Sequence, residues 1–318
     1  MPRPIPKGFL FVVNPRAGRG KAARLWNELV GVLENRALPH DVIFSQPDTL
    51  QETLTHIRAL PEDAAVVAVG GDGTLRSLLP ACLGSGRPLG LIPLGRGNDL
   101  AAALGWKIGD LGDAVARLTQ PAKPLGVLKV CFADEMHYSL NGVGMGFDAQ
   151  VTARAARMPR FLGGFGQYAL GALLSVAALR SVGLEVSIDG KPVFSGESFL
   201  CAVMNGSRYG GGFHISPQSR VDDGLTNVLV GRRVSHLGLL PLMARVLGGR
   251  HLGHPKVTHL QGCCVTLRWD KPMPLHLDGD LYPAVVGLEV QVLPRAVNLL
   301  GIGDAGVGVW HKSQSKRD

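Results

Sequence analysis

A β-branched apolar run that passes directly into a glycine-rich turn constrains the fold of this chain more than any other feature. The run is AVVAV at residues 65–69, and GGDGTL at residues 70–75 continues it into an apolar segment. This pattern predicts a buried strand, a tight turn and a helix, whose N-terminal amides can bind phosphate without a positive side chain. We therefore expect a phosphate site formed by Gly70, Gly71, Asp72, Gly73, Thr74 and Leu75. A plain turn in which Asp72 and Thr74 only cap the helix is the alternative.

The first part of the chain alternates short apolar runs with amphipathic segments. The predicted elements are a strand at 9–13, a helix at 21–34, a strand at 41–45, a helix at 50–59, strands at 65–69 and 89–92, and a helix at 99–104. Such alternation is typical of parallel strands joined by helical crossovers. We predict an α/β domain, a parallel sheet flanked by helices, over residues 1–125.

From residue 126 onward the pattern changes to β-rich runs separated by turns of Gly, Asp and Pro. The expected strands are 127–132, 184–188, 199–204, 225–230, 257–260, 264–269 and 287–293. Two helical segments, near residues 168–179 and 237–247, interrupt them. The pattern predicts an antiparallel β-sandwich domain over residues 126–300, followed by a C-terminal tail at 301–318.

A second glycine-containing turn, PLGRGNDL at residues 93–100, follows the predicted strand 89–92 and opens another helix. Ligands of open α/β sheets bind in the crevice at the carboxyl ends of the strands, so we expect both glycine turns to share one crevice. The candidate ligand-binding residues of this turn are Arg96, Gly97, Asn98 and Asp99. A role for Asn98 or Asp99 as a helix N-cap is the alternative.

A basic loop, NPRAGRGK at residues 14–21, ends the first predicted strand. It resembles a phosphate-binding loop, but Pro15 and Ala22 stand where the Walker pattern requires Gly and Ser or Thr. An ordinary P-loop is therefore excluded. Asn14 stays a candidate nucleotide contact, and a solvated turn is the alternative for the basic residues.

The net charge of +8, from 33 Lys and Arg against 25 Asp and Glu, favours an anionic partner. The cations show no aromatic interleaving or motif typical of nucleic-acid binding. No run approaches the ~20 apolar residues of a membrane-spanning helix, and the first seven residues lack the apolar core of a signal peptide. Five cysteines without a CxxC spacing argue against a disulfide framework or a zinc site. We expect a cytoplasmic protein whose membrane contact is peripheral.

Taken together, NPRAGRGK, GGDGT and PLGRGND resemble, in order and spacing, the catalytic domain of the diacylglycerol kinase family. The second half adds NGVGMGFD at 141–148, NGSRYGGG at 205–212, PQSRVDDGL at 217–225 and DGD at 278–280. The resemblance covers nearly the whole chain and is closest to the bacterial soluble lipid kinases; sphingosine and ceramide kinases share the plan. GGDGT alone is shared with NAD kinases, so the later motifs make the resemblance specific. It implies the fold of NAD kinases and diacylglycerol kinases.

The resemblance also implies a catalytic pair of acids. Asp278 falls at the family's general-base position, where a carboxylate accepts the proton of the lipid hydroxyl. Asp280 falls at the position of a companion acid that is normally Glu, so its side chain is one methylene shorter. Without the resemblance, an Asp-Gly turn between apolar runs is the plainer interpretation of Asp278.

The implied ATP site comprises Ser45 at the end of a strand, the segment from Gly70 to Arg76, and Arg96. Two of these positions depart from the family pattern. Arg76 replaces a common Asn or similar polar residue, and Arg96 replaces a common Thr. Both departures add a cation near the expected phosphates, which would either help to neutralise charge or block the usual hydroxyl contact.

The segment PQSRVDDGL resembles a loop that holds a magnesium ion in bacterial members of the family. The implied ligands are the carboxylate of Asp223 and the carbonyls of Arg220 and Leu225, an all-oxygen set that suits Mg²⁺. This structural or regulatory ion would be distinct from the Mg²⁺ that accompanies ATP. A simple hairpin turn at residues 222–224 is the alternative.

A basic and apolar segment without acidic residues lies between Asp148 and Glu185. Its arginines are Arg154, Arg157, Arg160 and Arg180. Such a segment suits an anionic headgroup layer, where each cation contributes up to ~1 kcal/mol. We expect it to dock on the membrane surface or to shape the acyl-chain cleft. A buried helix with snorkelling or internally paired arginines is the alternative.

The expected function is an ATP-dependent lipid kinase that acts on diacylglycerol or a related lipid, with MgATP bound between the domains. An NAD kinase-like enzyme is one alternative. A catalytically silent regulator that binds nucleotide or lipid is another, because Arg76, Arg96 and Asp280 depart from the family pattern. The acceptor lipid and the oligomeric state, a homodimer included, do not follow from the sequence.

Overall fold

The computed structural model describes residues 6–210 and 212–302, without the side chains at positions 160 and 164. From residue 303 onward, the predicted C-terminal tail lies outside the described residues. The strands are β1 (Gly8–Val13), β2 (His40–Phe44), β3 (Ala64–Gly70), β4 (Pro88–Pro93), β5 (Ala122–Phe132), β6 (Glu135–Ser139), β7 (Gly142–Gly146), β8 (Val182–Ile188), β9 (Lys191–Met204), β10 (Thr226–Arg232), β11 (Val257–Gly262), β12 (Cys264–Leu277) and β13 (Asp280–Leu300). The helices are α1 (Ala17–Asn35), α2 (Leu50–Ala59), α3 (Asp72–Cys82), α4 (Asp99–Ala103), α5 (Leu111–Leu118), α6 (Phe147–Ala155), α7 (Gly163–Ser175) and α8 (His236–Leu247).

The first four strands form the parallel sheet that the sequence predicts, in the order β2-β1-β3-β4. Val67 of β3 packs on one face against α1 and α5, whereas its neighbours Val66 and Ala68 pack on the other face against α2 and α3. Both faces are therefore covered by helices, which explains why the strand reads as a continuous apolar run. The predicted α/β architecture is confirmed.

The second half is antiparallel and β-rich, as predicted. Strands β11, β10, β9, β7, β12 and β13 are neighbours in that order, while β8 pairs with both β9 and β12. One apolar core lies between these strands and β5. A second core lies between the sheet and helices α6, α7 and α8. Strands β6 and β7 and helix α6 were not predicted from the sequence; β7 was missed because its glycine-rich segment GVGMG has little strand propensity of its own.

One long strand joins the two halves. The end of β13 pairs in parallel with β4 through Asn298 and Pro88, and β5 pairs antiparallel with the same stretch of β13. All these strands consequently belong to a single continuous sheet. The domain boundaries at residues 125 and 300 stay predictions, and both fall within strands that connect the halves.

Candidate functional site

A cleft of about 850 Å³ lies at the carboxyl ends of the parallel strands. Each of β1 to β4 contributes to its lining at the point where the strand ends. The predicted ATP-binding residues that line it are Asn14, Ser45, Gly71, Gly73, Thr74 and Arg96, and the predicted catalytic residue Asp280 lines it as well. The structure therefore brings together residues from separate segments of the chain in the crevice that the sequence predicts.

The floor of this cleft requires glycine, because its two glycine turns touch through their backbones. A Cβ atom built on Gly95 would lie 2.3 Å from the Cα of Gly71, and one built on Gly71 would lie 2.9 Å from the Cα of Gly95. The amide of Gly95 also donates a hydrogen bond to the carbonyl of Gly70 at 3.0 Å. Backbone atoms cannot move aside as a flexible side chain can, so both turns depend on the absence of a side chain.

Four of the predicted nucleotide residues shape the cleft without lining it. Asp72 accepts hydrogen bonds from the amides of Asp99 and Leu100, at 2.9 and 3.2 Å. Asn98 has a left-handed backbone (φ 52°) and exchanges two side-chain hydrogen bonds with the backbone of Gly95. The other two are Gly70, which is buried at the end of β3, and Leu75, which is buried on α3.

The buried position of Asp72 changes its titration. Burial raises the pKa of this carboxyl to about 6, against the lowering effect of the amides of Asp99 and Leu100. The negative charge of Asp278 contributes to the same rise in pKa. Asp72 therefore links the two glycine turns and carries its charge only above mildly acidic pH.

The basic loop after β1 forms one wall of the cleft. Gly18, Arg19 and Gly20 are all left-handed, with φ values of 56°, 65° and 80°, so the regular part of α1 begins at Lys21 as predicted. Residues 14–20 line the cleft, together with Gln46 and Pro47, which the sequence analysis did not single out. The GxG spacing within NPRAGRGK was the sequence feature that could have predicted this wall.

A second cleft, of about 250 Å³, adjoins the first. The two clefts share Gly71, Gly73, Arg96 and Asp280. The predicted residues that line only the second cleft are Asp72, Gly97, Asp99 and Asp278. The GGDGT turn thus forms the border between a space on the parallel half and a space that faces the antiparallel half.

Asp278 is held by one turn of the antiparallel half. Its Oδ1 accepts hydrogen bonds from the hydroxyl of Ser139 at 2.8 Å and from the amides of Asn141 and Gly142 at 2.9 and 3.0 Å. Its Oδ2 accepts one from the amide of Leu140 at 2.9 Å. A carboxylate offers about four acceptor positions, so these four donors occupy most of its capacity. The geometry assigns Asp278 to holding the turn between β6 and β7.

Asp280 is the more accessible acid of the pair, with 57% of its side chain exposed. Its partner is Arg76 of α3, whose guanidinium donates a hydrogen bond to Oδ2. Burial lowers the pKa of Arg76, but the charges of Asp278 and Asp280 outweigh that effect, so the pKa lies above its ordinary value. Arg76 itself lines neither cleft; it reaches the site through Asp280.

The far wall of the second cleft contains polar residues that the sequence analysis did not assign. Tyr209 donates a hydrogen bond to the buried carboxylate of Asp148, and His276 Nε2 lies 3.5 Å from the same group. Burial, followed by the charge of Asp148, raises the pKa of Tyr168 and of Tyr209 well above the ordinary value. Asp148 belongs to NGVGMGFD and Tyr209 belongs to NGSRYGGG, so these two motifs were the sequence features that could have predicted this wall.

Behind this wall lies an apolar cavity of about 90 Å³. It is roofed by α7 and α8 and floored by β9 and β10. Residues from these elements include Ala172, Phe199, Leu229 and Leu242, and Asp148 contributes a polar group at its edge. Tyr168 lines both this cavity and the second cleft, so its side chain lies between the two spaces.

The predicted metal loop is a turn before β10. The carboxylate of Asp223 accepts a hydrogen bond from the amide of Leu225 at 2.9 Å, and Arg220 pairs with Asp222 at 3.2 Å. Burial raises the pKa of Asp223 above its ordinary value. The carboxylate and the local carbonyls give an oxygen-only donor set, which fits a hard cation.

The basic segment between Asp148 and Glu185 forms α6 and α7. Arg154 donates a hydrogen bond to the carbonyl of Leu174 at 2.8 Å, while Arg157 and Arg180 are exposed. The side chain of Arg160 lies outside the described residues. Large exposed apolar side chains occur on the two roof helices and the turn before α7: Phe161, Phe165, Leu173, Leu174, Leu237, Leu240 and Leu247. Within residues 6–210 and 212–302, no helix is long and apolar enough to cross a membrane.

Two family models match successive parts of the chain. The model described as the diacylglycerol kinase catalytic domain matches residues 8–130. The model described as the YegS C-terminal NAD kinase beta sandwich-like domain matches residues 141–301. Their junction falls between β5 and β7, so the two matches correspond to the parallel and antiparallel halves.

Curated relatives match most of the chain. A diacylglycerol kinase of Mycobacterium tuberculosis (strain ATCC 25618 / H37Rv) is 26% identical over 293 residues, which cover 91% of this chain and 93% of the relative. A "Probable lipid kinase YegS-like" of Xanthomonas euvesicatoria pv. vesicatoria (strain 85-10) is 29% identical over 271 residues, covering 80% and 84%. The crystal structure of a diacylglycerol kinase from Bacillus anthracis (strain Sterne) has a TM-score of 0.68 at 18% identity, and the match covers 96% of this chain and 100% of that one. This likeness confirms the fold.

Proposed function

The chain belongs to the lipid kinase family that these two models describe, and from that membership we propose that it transfers the γ-phosphoryl group of ATP to a hydroxyl of diacylglycerol or a related lipid. One observation carries this proposal. The linings of the large cleft and the second cleft share Gly71, Gly73, Arg96 and Asp280, and the linings of the second cleft and the apolar cavity share Tyr168, so the three spaces adjoin in this order. A nucleotide, a reacting hydroxyl and an acyl chain would occupy these spaces in that order.

ATP binds in the large cleft, with its phosphates at the two glycine turns. The N-terminus of α3 directs backbone amides and the positive end of the helix dipole toward the phosphates. Arg96, which borders both clefts, adds a positive charge where the γ-phosphoryl group is transferred. Phosphoryl transfer depends mainly on positioning and charge neutralisation, and both are available at this border.

Asp280 accepts the proton of the attacking hydroxyl. It lies at the border of the two clefts with an exposed carboxylate, whereas the hydrogen bonds to Asp278 hold that residue in the turn between β6 and β7. A general base must lie within hydrogen-bonding reach of the proton it removes, which favours the accessible acid. This proposal moves the base from Asp278, where the family resemblance had suggested it, to Asp280; Asp278 keeps a positioning role.

Magnesium enters the proposal in two ways. Mg²⁺ bound with ATP would neutralise phosphate charge at the large cleft. A second, structural Mg²⁺ would be held by the carboxylate of Asp223 and the carbonyls of Arg220 and Leu225, because hard cations prefer oxygen ligands. The two ions are separate, since the turn at 220–225 lines neither cleft.

The lipid enters from the membrane side of the antiparallel half. The apolar side chains on α7 and α8 surround the roof of the cavity, and the stretches 149–184 and 224–269, which contain these helices, have no Asp or Glu. This combination favours contact with an anionic bilayer surface. The acceptor would leave the bilayer between the two helices, with part of an acyl chain in the cavity and its hydroxyl near Asp280.

Transfer of γ-labelled phosphate to diacylglycerol, phosphatidylglycerol, a sphingoid base and NAD, with Mg²⁺, tests the proposal. We expect a lipid product with the wild type, a fall of roughly two to four orders of magnitude in Asp280→Asn, and unchanged ATP binding in that variant. Asp278→Asn should lose activity together with stability, because an amide cannot accept all four hydrogen bonds.

Three results would count against this proposal. Phosphorylation of NAD alone would favour the NAD kinase-like alternative. ATP binding without transfer to any acceptor would favour the silent regulator. Full activity of Asp280→Asn would mean that another acid is the general base.

A further inference from the structure

One guanidinium connects the two halves of the molecule at the site of the proposed reaction. Arg76 lies in the first part of α3, which follows the GGDGT turn of the parallel half. Its Nη1 donates hydrogen bonds to the carbonyl of Leu277 at 3.3 Å and to the hydroxyl of Tyr282 at 3.0 Å, and its Nη2 donates to the carboxylate of Asp280. All three acceptors belong to the hairpin of β12 and β13 in the antiparallel half.

The environment of Arg76 favours a fixed geometry. Only 15% of its side chain is exposed, against 57% for Asp280, and its guanidinium lies 5.8 Å from the ring centroid of Tyr282. A buried cation must be compensated, and the two nearby carboxylates provide that compensation. The planar guanidinium can bind a carbonyl, a hydroxyl and a carboxylate at once, which an ammonium or an amide cannot reproduce.

The pairing leaves one oxygen of Asp280 for chemistry. The hydrogen bond from Arg76 goes to Oδ2. A Cβ atom built on Gly73 would lie 3.3 Å from the same oxygen. Oδ1 is therefore the oxygen left for an acceptor hydroxyl. A carboxylate anchored through one oxygen loses rotational freedom, so it is already oriented before the substrate arrives.

We propose that Arg76 is the positioning residue for the proton acceptor of this enzyme, and that Arg76 and Asp280 form a matched pair. Both residues depart from the family pattern, and in the structure these two departures touch each other. A long cation on α3 reaches a short acid on the hairpin and holds it at the border of the clefts. This inference rests on the proposed function, because it assigns the residue that orients the proposed base.

A swap of side-chain lengths tests the pairing. The four proteins are the wild type, Arg76→Asn, Asp280→Glu and the double variant, and each is assayed for kcat and KM with the best lipid acceptor and for ATP binding. We expect each single change to lower kcat roughly tenfold to a hundredfold, since a misplaced catalytic group is costly, while ATP affinity changes little. The double variant should recover most of the loss, because a longer acid no longer needs the arginine.

A chemical rescue separates positioning from a purely structural role. Arg76→Ala should regain part of its kcat when guanidinium ion is added at millimolar concentration, whereas Asp280→Asn should not. Arg58→Asn is the matched control, because Arg58 also donates to a backbone carbonyl, that of Pro80, but lies on α2 outside the clefts. We expect this control to keep wild-type kcat.

The outcomes distinguish this inference from the proposed function. A wild type that phosphorylates no acceptor overturns the proposed function, and this inference with it. If the wild type is active but the kcat of the double variant falls by the product of the two single-variant factors, the matched pair is overturned and the proposed function stands. Wild-type kcat in Arg76→Asn does the same, since a positioning residue cannot be dispensable.

Discussion

The carboxylate of Asp72 accepts a hydrogen bond from the backbone amide of Asp99 at 2.9 Å and so joins the two glycine turns. Asp72 stands at the first residue of α3, and Asp99 stands at the first residue of α4. The contact holds the starts of both helices at one cleft. A residue that looks like a phosphate ligand in the sequence therefore acts on the shape of the site.

The raised pKa of Asp72 predicts a pH dependence of stability. The ordinary pKa of 3.8 rises to about 6 in the folded state, so between these values the folded protein binds more protons than the unfolded chain. The free energy of unfolding should therefore fall as pH rises from 4 to 6, by on the order of 2 kcal/mol from this group. Urea unfolding without nucleotide, compared between wild type and Asp72→Asn across this range, measures the difference. Parallel curves would contradict the assignment.

The contact between the glycine turns predicts a strong effect of one added methyl group. Gly95→Ala should destabilise the protein by about 1–3 kcal/mol and weaken ATP binding, because the new Cβ would overlap the backbone of Gly71. Gly31→Ala is the control, since its Cβ would meet no heavy atom within 4 Å and alanine favours the interior of α1. Unfolding and nucleotide titration should show no loss in this control. Equal effects of both changes would refute the close packing.

The apolar cavity predicts a selective loss of lipid activity when it is filled. Ala172→Leu adds volume to the cavity lining and should lower kcat/KM for a long-chain acceptor roughly tenfold. ATP binding should not change, because the large cleft lies on the other half. Ala169→Leu on the same helix does not line the cavity and is the control. An unaffected Ala172→Leu enzyme would place the acyl chain elsewhere.

The metal loop predicts stabilisation by magnesium that depends on Asp223. A cation that binds only the folded state raises the midpoint of thermal unfolding, and we expect a rise of ~2 °C or more in millimolar Mg²⁺ relative to EDTA. Asp223→Asn should lose this rise without nucleotide present. Asp222→Asn should keep it, because that residue pairs with Arg220 instead. The same response in both variants would argue against a site at Asp223.

The exposed side chains of α8 predict binding to anionic vesicles. Leu237 is 81% exposed, and Leu237→Asp should lower partitioning onto phosphatidylglycerol vesicles roughly tenfold, through loss of apolar burial and addition of a negative charge. Val193→Asp, at an exposed position near the start of β9, is the control and should bind as the wild type does. Cosedimentation with the vesicles measures the partitioning of both variants. Unchanged binding of Leu237→Asp would exclude α8 from the membrane contact.

The sequence by itself determined the parallel half and the location of the large cleft. A continuous β-branched run, a glycine turn and an apolar helix are local properties, and β3 and α3 follow them closely. The rule that strands of one parallel sheet end at the same edge then brings Asn14, Ser45 and Arg96 together. These results need no knowledge of contacts between distant residues.

Only the tertiary structure decided the surroundings of the two acids. Asp278 and Asp280 are two residues apart, but the donors to Asp278 come from residues 139–142 and the partner of Asp280 is Arg76, 204 positions away. The cavity likewise exists because α7 and α8 pack against β9 and β10 from different parts of the chain. Hydrogen-bond donors, burial and charge around a side chain are set by segments remote in sequence, so the fold had to supply them.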